Sequence, residues 1–342
     1  MMTVGLQLGE LTERLGWRYS TLGRPRDLTP LAFSFPVSNR LFLYATTGGR
    51  FVLKAMAHST SLYGHADVMN RLEVVGRTLA DLRRAGLPVE HIVCGDDGRY
   101  VDHYDDHLLR LYAFDPGRAF SVGEGDSWRG ARALRRLHTE GLSCLGPSTR
   151  ADLMRLGKAY PLCDTAAELP RLRLFVAERA AASPTYATIL DHWDTIEWAL
   201  DWALVVRCLD PDPACLVHSD FHPRNALFQD GADEATMIDF DNMRIDGRLT
   251  CLGFSILRFA FCQGERTPAA LREAIVLFAG EECAAPDFME RLIHAMVFIE
   301  IEKVLRILHR VRTTGQYAGF LNNICPLHLA NINMLRASFI RD

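Results

Sequence analysis

A chain of 342 residues that is 49% hydrophobic and 23% charged is long enough to bury one large core or two smaller ones, and its composition excludes intrinsic disorder. The formal net charge of -4 lacks the basic excess that nucleic-acid or anionic-membrane binding requires, so we expect neither partner. Nine cysteines without a Cys-x-x-Cys pair predict reduced thiols and a cytoplasmic protein.

The N-terminal third predicts a small antiparallel sheet. The first residues lack the basic and apolar segments of a signal peptide. Residues 41–47 and 50–54 have the composition of two strands and flank Gly48-Gly49, which is typical of a β-hairpin. Further strands are expected around residues 92–94 and 108–112, on either side of a turn.

A helix is predicted between these strands, with Leu72, Val75, Leu79 and Leu82 at helical spacing and a stop at Gly86. After Asp115-Pro116-Gly117 the sequence becomes mostly helical, and the longest uncharged stretch, 313–335, is too polar to span a membrane. A sheet in the first part of the chain, followed by helices, predicts an α+β fold rather than an alternating βαβ fold. We expect an N-lobe of residues 1–112 and a larger, helical C-lobe of residues 113–342.

Two segments in the second half carry the chemistry. Asp220 stands in a His-x-Asp-x-x-x-x-Asn loop that ends at Asn225, and Asp239 follows a short apolar strand. This arrangement is typical of phosphoryl transfer, in which one carboxylate accepts the proton of the acceptor hydroxyl and further oxygen ligands hold Mg²⁺. We therefore predict Asp220 as the catalytic base and Asn225 and Asp239 as metal ligands. The spacing between the two segments fits a β-hairpin with its turn at Asp230-Gly231.

The stretch from His218 to Asp241 resembles the motif of the aminoglycoside phosphotransferase and choline kinase family, which is similar in fold to protein kinases but phosphorylates small molecules. The resemblance implies a bilobal protein-kinase-like fold, ATP or GTP with Mg²⁺ as cofactors, and a small-molecule hydroxyl acceptor. Acceptors in this class include aminoglycosides, aminosugars, sugars and amino alcohols such as homoserine or choline. Neither the acceptor nor the oligomeric state follows from the sequence.

The resemblance also assigns residues of the N-lobe to the nucleotide. It implies that Lys54 binds phosphate with Glu73 as its partner, that a phosphate loop precedes the first hairpin strand, and that a hinge backbone meets adenine. The nucleotide-binding residues expected on this basis are Lys54, Glu73, Ser38, Asn39, Leu111 and Ala113. Lys54 also follows an apolar strand, where an ammonium group needs a phosphate or a carboxylate nearby.

The motif departs from the family at two positions. Ser219 stands where the family usually has glycine, and Asp241 stands where protein kinases have the glycine of Asp-Phe-Gly. We expect His218 to brace the loop, with His222 as a structural or substrate contact. Two alternatives stay open, a catalytically silent kinase-like nucleotide-binding protein and a protein kinase. The second is disfavoured because an apolar run, residues 249–257, follows Asp239 too soon for an activation loop.

Overall fold

The computed structural model describes residues 7–31, 39–57, 65–123, 125–156, 167–206, 214–262, 266–315 and 318–339. The chain divides into two compact units. The first comprises Met1–Ala119, Thr139–Ala159 and Ala226–Arg244, and the second comprises Phe120–His138, Tyr160–Asn225 and Ile245–Asp342. The predicted lobe boundary at residues 112 and 113 stays a prediction, because the first unit includes two later stretches of chain as well.

The first unit contains an antiparallel sheet of six strands in the order β1-β2-β3-β6-β4, with β5 paired to β6. The strands are β1 (Pro25–Pro30), β2 (Asn39–Thr46), β3 (Gly49–Ala57), β4 (Ile92–Val93), β5 (Asp102–Tyr104) and β6 (His107–Ala113). The predicted β2–β3 hairpin and the β4–β6 pair are confirmed. A side chain at Gly48 would place its Cβ 2.5 Å from the carbonyl oxygen of Leu22, which explains glycine in the hairpin turn.

Side chains alternate between the two faces of this sheet, and this alternation decides where the charged groups lie. One face carries Leu53 and Leu111, which are fully buried beneath helix α1 (Leu8–Arg18) in one apolar cluster. The residues next to them in the sequence, Lys54 and Arg110, belong to the other face and are directly opposite each other in the β3–β6 register. The register therefore brings two cations together.

Helix α2 (His65–Arg84) runs between β3 and β4, as predicted, and contacts α4 (Pro147–Arg155). The predicted second hairpin is confirmed as β8 (Ala226–Leu227) and β9 (Thr236–Met237), although each strand is short. It is joined to the segment after α2 by two backbone hydrogen bonds, from Met237 to Pro88 and from Glu90 to Met237, both 2.8 Å. The residues that follow β9 are thus fixed within the first unit.

The second unit is mostly helical. Its longest helix, α10 (Pro286–Thr314), packs against α7 (Trp193–Val206), α8 (Arg248–Ala260) and α11 (Ala318–Phe339). The remaining helices are α3 (Asp126–Glu140), α5 (Leu169–Ala180), α6 (Pro184–Asp191) and α9 (Pro268–Ala279). Strand β7 (Cys215–Val217) pairs with β10 (Arg244–Asp246). Within the described part of the chain, no helix has the length and apolar character needed to cross a membrane.

An antiparallel sheet in the N-terminal region and helices in the C-terminal part confirm the predicted α+β class. Helices α3, α7 and α10 lie in the part of the chain after Asp115-Pro116-Gly117 that is expected to be helical.

Candidate functional site

The loop around Asp220 follows strand β7 and ends in a short 3-10 turn, Pro223–Asn225. His218 and Phe221, on either side of Asp220 in the sequence, are fully buried. The ring of Phe221 packs on Phe259 of α8, with 5.4 Å between the centroids. Buried rings on both sides hold the backbone in place, so the position of the Asp220 carboxylate is well defined.

Backbone geometry explains why the family usually has glycine at position 219. Ser219 has a φ of +69°, in the left-handed region that costs a non-glycine residue about 1–2 kcal/mol. The bend allows the amide of Asp220 to donate to Nδ1 of His218 at 3.4 Å. The serine is therefore accommodated at some cost in strain, and the loop keeps its bend.

Asn225 turns back towards Asp220, five residues earlier. Its side-chain Nδ2 donates to the carbonyl oxygen of Asp220 at 3.0 Å, and its backbone amide donates to the carbonyl of His222 at 2.8 Å. Nδ1 of His222 in turn accepts from the amide of Arg224 at 3.1 Å. Because the amide nitrogen of Asn225 is used within the loop, a cation at this residue would be held by the side-chain oxygen.

Basic side chains surround the Asp220 carboxylate within the second unit. Lys303 Nζ lies 3.8 Å from Oδ1, and Nε2 of His222 lies 4.0 Å from Oδ2. Burial alone would raise the pKa of Asp220, but Lys303, His222, His218 and Arg258 lower it below its ordinary value. The carboxylate is therefore ionised at neutral pH, as a proton acceptor must be.

Behind Lys303 lies a buried polar cluster centred on Glu300, which is fully buried in α10. Its carboxylate accepts from Arg258 at 3.0 Å and from Asn331 at 2.9 Å, and it lies 2.7 Å from Nδ1 of His328. Burial opposes ionisation of Glu300, but Arg258 and His328 lower its pKa to about 2. The cluster ties α8, α10 and α11 together next to the Asp220 loop.

Replacing Glu300 with glutamine should destabilise the protein by roughly 3 kcal/mol at pH 7, because Arg258 would lose its buried counter-charge. The folded pKa of about 2 lies below the ordinary value of 4.5, so the stabilisation is full above about pH 4.5 and is lost as the pH falls towards 2. Urea unfolding of the wild type and of Glu300→Gln between pH 7 and pH 3 measures this difference in the free energy of unfolding.

Glu290→Gln is the matched control, since that side chain is on the same helix but is 74% exposed. A difference between wild type and Glu300→Gln that stayed constant down to pH 3 would show that the Glu300 charge contributes nothing.

The first unit holds a second cluster of charges at the Asp239 turn. Asp239 has a φ of +68°, and a carboxylate oxygen of Glu90 accepts from the amides of Asp239 and Phe240 at 3.1 and 3.3 Å. Lys54 Nζ lies 2.5 Å from Oδ1 of Asp239 and 2.7 Å from Oδ2 of Asp241. The end of the hairpin is thus anchored to the β3 strand by a lysine that contacts two carboxylates.

The electrostatics of this cluster keep Lys54 charged. Burial would lower the pKa of Lys54, but Asp239 and Asp241 raise it above the ordinary value. Burial raises the pKa of Glu90 to about 7, although Lys54 and Arg110 oppose the shift. Arg110 donates to the other carboxylate oxygen of Asp241. Burial would raise the pKa of Asp241, but Arg110 and Lys54 outweigh this effect and hold the pKa well below its usual range.

The predicted pairing of Lys54 with Glu73 is wrong. The Glu73 carboxylate accepts from the backbone amides of Tyr100 and Val101, at 3.0 and 3.1 Å. The residue of α2 that faces the Asp239 turn is Arg71, whose guanidinium donates to the carbonyl of Met243 at 3.2 Å. Glu73 and Arg71 are two positions apart, so their side chains point about 200° apart around the helix axis. Spacing along the sequence therefore predicted the wrong face of α2.

Three of the other predicted nucleotide residues, Asn39, Leu111 and Ala113, lie in strands of the first unit. Asn39 is the first residue of β2, whereas Ser38 lies outside the described residues. Leu111 is fully buried in β6, and the amide of Ala113, at the end of β6, donates to the carbonyl of His91 at 2.8 Å. Contact of these residues with a nucleotide stays a prediction.

Residues outside the sequence predictions also belong to these clusters. Arg110, Glu300 and Lys303 are charged side chains inside apolar segments, and that was the signal available in the sequence. Glu300, for example, has fully buried neighbours four residues away on both sides, Met296 and Val304. Of the residues that the structure describes, no group of three or more His, Cys, Asp or Glu side chains forms a metal cluster. A metal bound by Asp239 or Asn225 would need further ligands, such as phosphate oxygens and water.

The sequence profile of the phosphotransferase enzyme family, APH, matches residues 31–286. Comparison with curated proteins gave no match. Among solved structures, the AMP-bound complex of spectinomycin phosphotransferase APH(9)-Ia is similar to this chain, with a TM-score of 0.66 and 14% identity over 99% of this chain and 100% of that one.

Two further structures have a TM-score of 0.61 and 14% identity. Amicoumacin kinase hAmiN, in complex with AMP-PNP, Ca²⁺ and Ami, matches over 95% of this chain and 93% of that one. A choline/ethanolamine kinase family protein from Mesorhizobium loti matches over 96% and 94%. These similarities confirm the protein-kinase-like fold. Because the family profile also covers more than half of the sequence, the chain belongs to the phosphotransferase enzyme family.

Proposed function

We propose that this protein transfers the γ-phosphoryl group of ATP or GTP to a hydroxyl group of a small molecule. The observation that carries the proposal is the Asp220 loop, in which an ionised carboxylate is held among cations and Asn225 turns back onto the same residue. Family membership supports the reaction class. Similar structures solved with ADP or with AMP-PNP and Ca²⁺ support a nucleotide with a divalent metal.

In the proposed reaction, the acceptor oxygen forms a bond to the γ-phosphorus while the bond between that phosphorus and the bridging β-oxygen breaks. The hydroxyl proton passes to Asp220, and ADP or GDP leaves with the bridging oxygen. Phosphoryl transfer of this kind depends mainly on positioning and on stabilising charge. Asp220 orients the hydroxyl and takes its proton, and the buried ring of Phe221 keeps the loop in place.

The charges of the first unit suit the nucleotide. Lys54 would bind the α- and β-phosphates, and Asp239 with the side-chain oxygen of Asn225 would hold Mg²⁺. Both are hard oxygen donors, which Mg²⁺ prefers together with phosphate oxygens and water. When bound, the metal would neutralise charge on the phosphates. The backbone of Leu111 and Ala113 would meet adenine, and Ser38 and Asn39 would contact phosphate.

The acceptor would be an aminoglycoside, an aminosugar, a sugar or an amino alcohol such as homoserine or choline, with His222 as a contact beside Asp220. We place the protein in the cytoplasm, where ATP is available and where its cysteines would stay reduced.

A protein kinase is the weaker candidate. Strand β10 (Arg244–Asp246) and helix α8 (Arg248–Ala260) follow Asp241 almost directly, which leaves no space for an activation loop. A silent nucleotide-binding protein is disfavoured because Asp220, Asn225, Lys54 and Asp239 are all present.

The test is an acceptor screen with purified protein, ATP and Mg²⁺ against separate pools of aminoglycosides, sugars and amino alcohols. We expect ADP release that depends on one pool, together with one product heavier by a single phosphoryl group in mass spectrometry. Pools lacking free hydroxyl groups are the matched control. Nucleotide binding without any phosphorylated product would favour the silent protein, and phosphorylation of added protein substrates alone would favour a protein kinase.

A further inference from the structure

We infer that Asp241, itself held by Arg110, is the positioning residue that fixes Lys54 for the nucleotide. Sequence analysis had assigned this role to Glu73. The inference rests on the proposed function for the role of Lys54. In the sequence, Asp241 was notable only as a departure from the Asp-Phe-Gly motif of protein kinases.

The first step is the register of the sheet. Lys54 on β3 and Arg110 on β6 are directly opposite each other, and their exposed fractions are only 8% and 2%. Like charges at directly opposite positions destabilise a strand pair, and buried charges need a partner. Lys54 and Arg110 therefore require an anion that both side chains can contact.

The second step is that Asp241 supplies this anion with both of its carboxylate oxygens. Oδ2 lies 2.7 Å from Lys54 Nζ, and Oδ1 accepts a hydrogen bond from Nη2 of Arg110. Glycine at position 241 would leave both cations without this partner. The aspartate at position 241 is thus accounted for by Arg110, and the buried Arg110 by the aspartate.

The third step is that the backbone of Asp241 is itself fixed. The side chain of Phe240, the preceding residue, is fully buried. Arg71 of α2 donates to the carbonyl oxygens of Asp241 and Met243, at 3.4 and 3.2 Å. Helix α2 therefore supports the position of Lys54 indirectly, through an arginine and the backbone of Asp241.

The fourth step is the contrast between the two aspartates that contact Lys54. The side chain of Asp239 is 41% exposed, whereas that of Asp241 is 15% exposed and bound on both oxygens. Asp239 is free to turn towards another cation, and Asp241 is not. When Asp239 does so, Asp241 keeps Lys54 in place.

The experiment is Asp241→Asn, which preserves shape and removes the charge. We expect the KM for ATP and the Kd for ADP, the latter measured by calorimetry without acceptor, to rise by about tenfold or more, while kcat changes less. Asp241→Glu, which restores the charge, should recover part of the affinity. Glu73→Gln is the matched control, with nucleotide affinity expected within about twofold of wild type.

Loss of charge between two cations can also unfold the protein, so a second variant is needed. Asp241→Asn combined with Arg110→Met removes the unpaired cation, and we expect the melting temperature to recover while nucleotide affinity stays low. Unchanged Kd and KM in the folded variants would overturn the inference. Loss of nucleotide affinity in Glu73→Gln instead would assign the positioning role to Glu73.

The inference and the proposed function fail in different ways. ADP binding can be measured whether or not an acceptor is found, so the Asp241 result stands if the acceptor screen is negative. If the wild-type protein binds no nucleotide, the proposed function fails first.

Discussion

Asp220→Asn should lower kcat by roughly 10²- to 10⁴-fold and leave the Kd for ATP within about twofold of wild type. The amide has nearly the same shape as the carboxylate but cannot take the proton of the acceptor hydroxyl. The measurement is steady-state turnover with an acceptor from the screen, together with calorimetric ATP binding.

Asp230→Asn is the matched control, because it makes the same chemical change at a side chain that is 98% exposed. Wild-type turnover in Asp220→Asn would rule out this residue as the base. A parallel loss of ATP binding would instead indicate that the loop had been disturbed, and circular dichroism and a melting curve distinguish the two outcomes.

Asp239→Asn should lower kcat/KM by on the order of 10³-fold, because losing the metal ligand that we propose would remove several kcal/mol of charge stabilisation in the transition state. We expect the Mg²⁺ concentration at half-maximal rate to rise as well, whereas it should stay unchanged in Asp220→Asn. Rates measured across a Mg²⁺ titration test both statements.

Asp233→Asn, an exposed residue in the same hairpin, is the control for this variant. If Asp239→Asn kept the wild-type dependence on Mg²⁺, the metal would have to be assigned to other ligands. The variant also removes one of the two carboxylates that contact Lys54, so its melting temperature should be compared with that of Asp241→Asn.

The Asp220 loop was predictable because its chemistry is local. Asp220 and Asn225 are five residues apart, and their contact is made within a single loop and 3-10 turn. The hairpin that leads to Asp239 is likewise closed by a short turn. Interactions between residues close in the sequence leave few geometries open, so residue types at fixed spacing were enough.

The charged partners of these residues were not predictable in the same way. The contact between Lys303 and Asp220 spans 83 residues, and Arg258 meets Glu300 across 42. Helix α10 lies in the part of the chain that was expected to be helical, but nothing in the sequence gave a reason to place Lys303 beside the loop. Which helix faces meet is set by packing of the whole unit.

The sequence by itself determined the reaction class, through the loop from His218 to Asn225 and the carboxylate at Asp239, because those groups are arranged by local backbone geometry. Only the tertiary structure decided which group anchors Lys54. That choice depends on strand register and helix phase, and a shift of one residue in a strand, or of two in a helix, turns a side chain to another face. The structure thereby placed Asp241 and Arg110 beside Lys54 and Glu73 against the backbone of Tyr100.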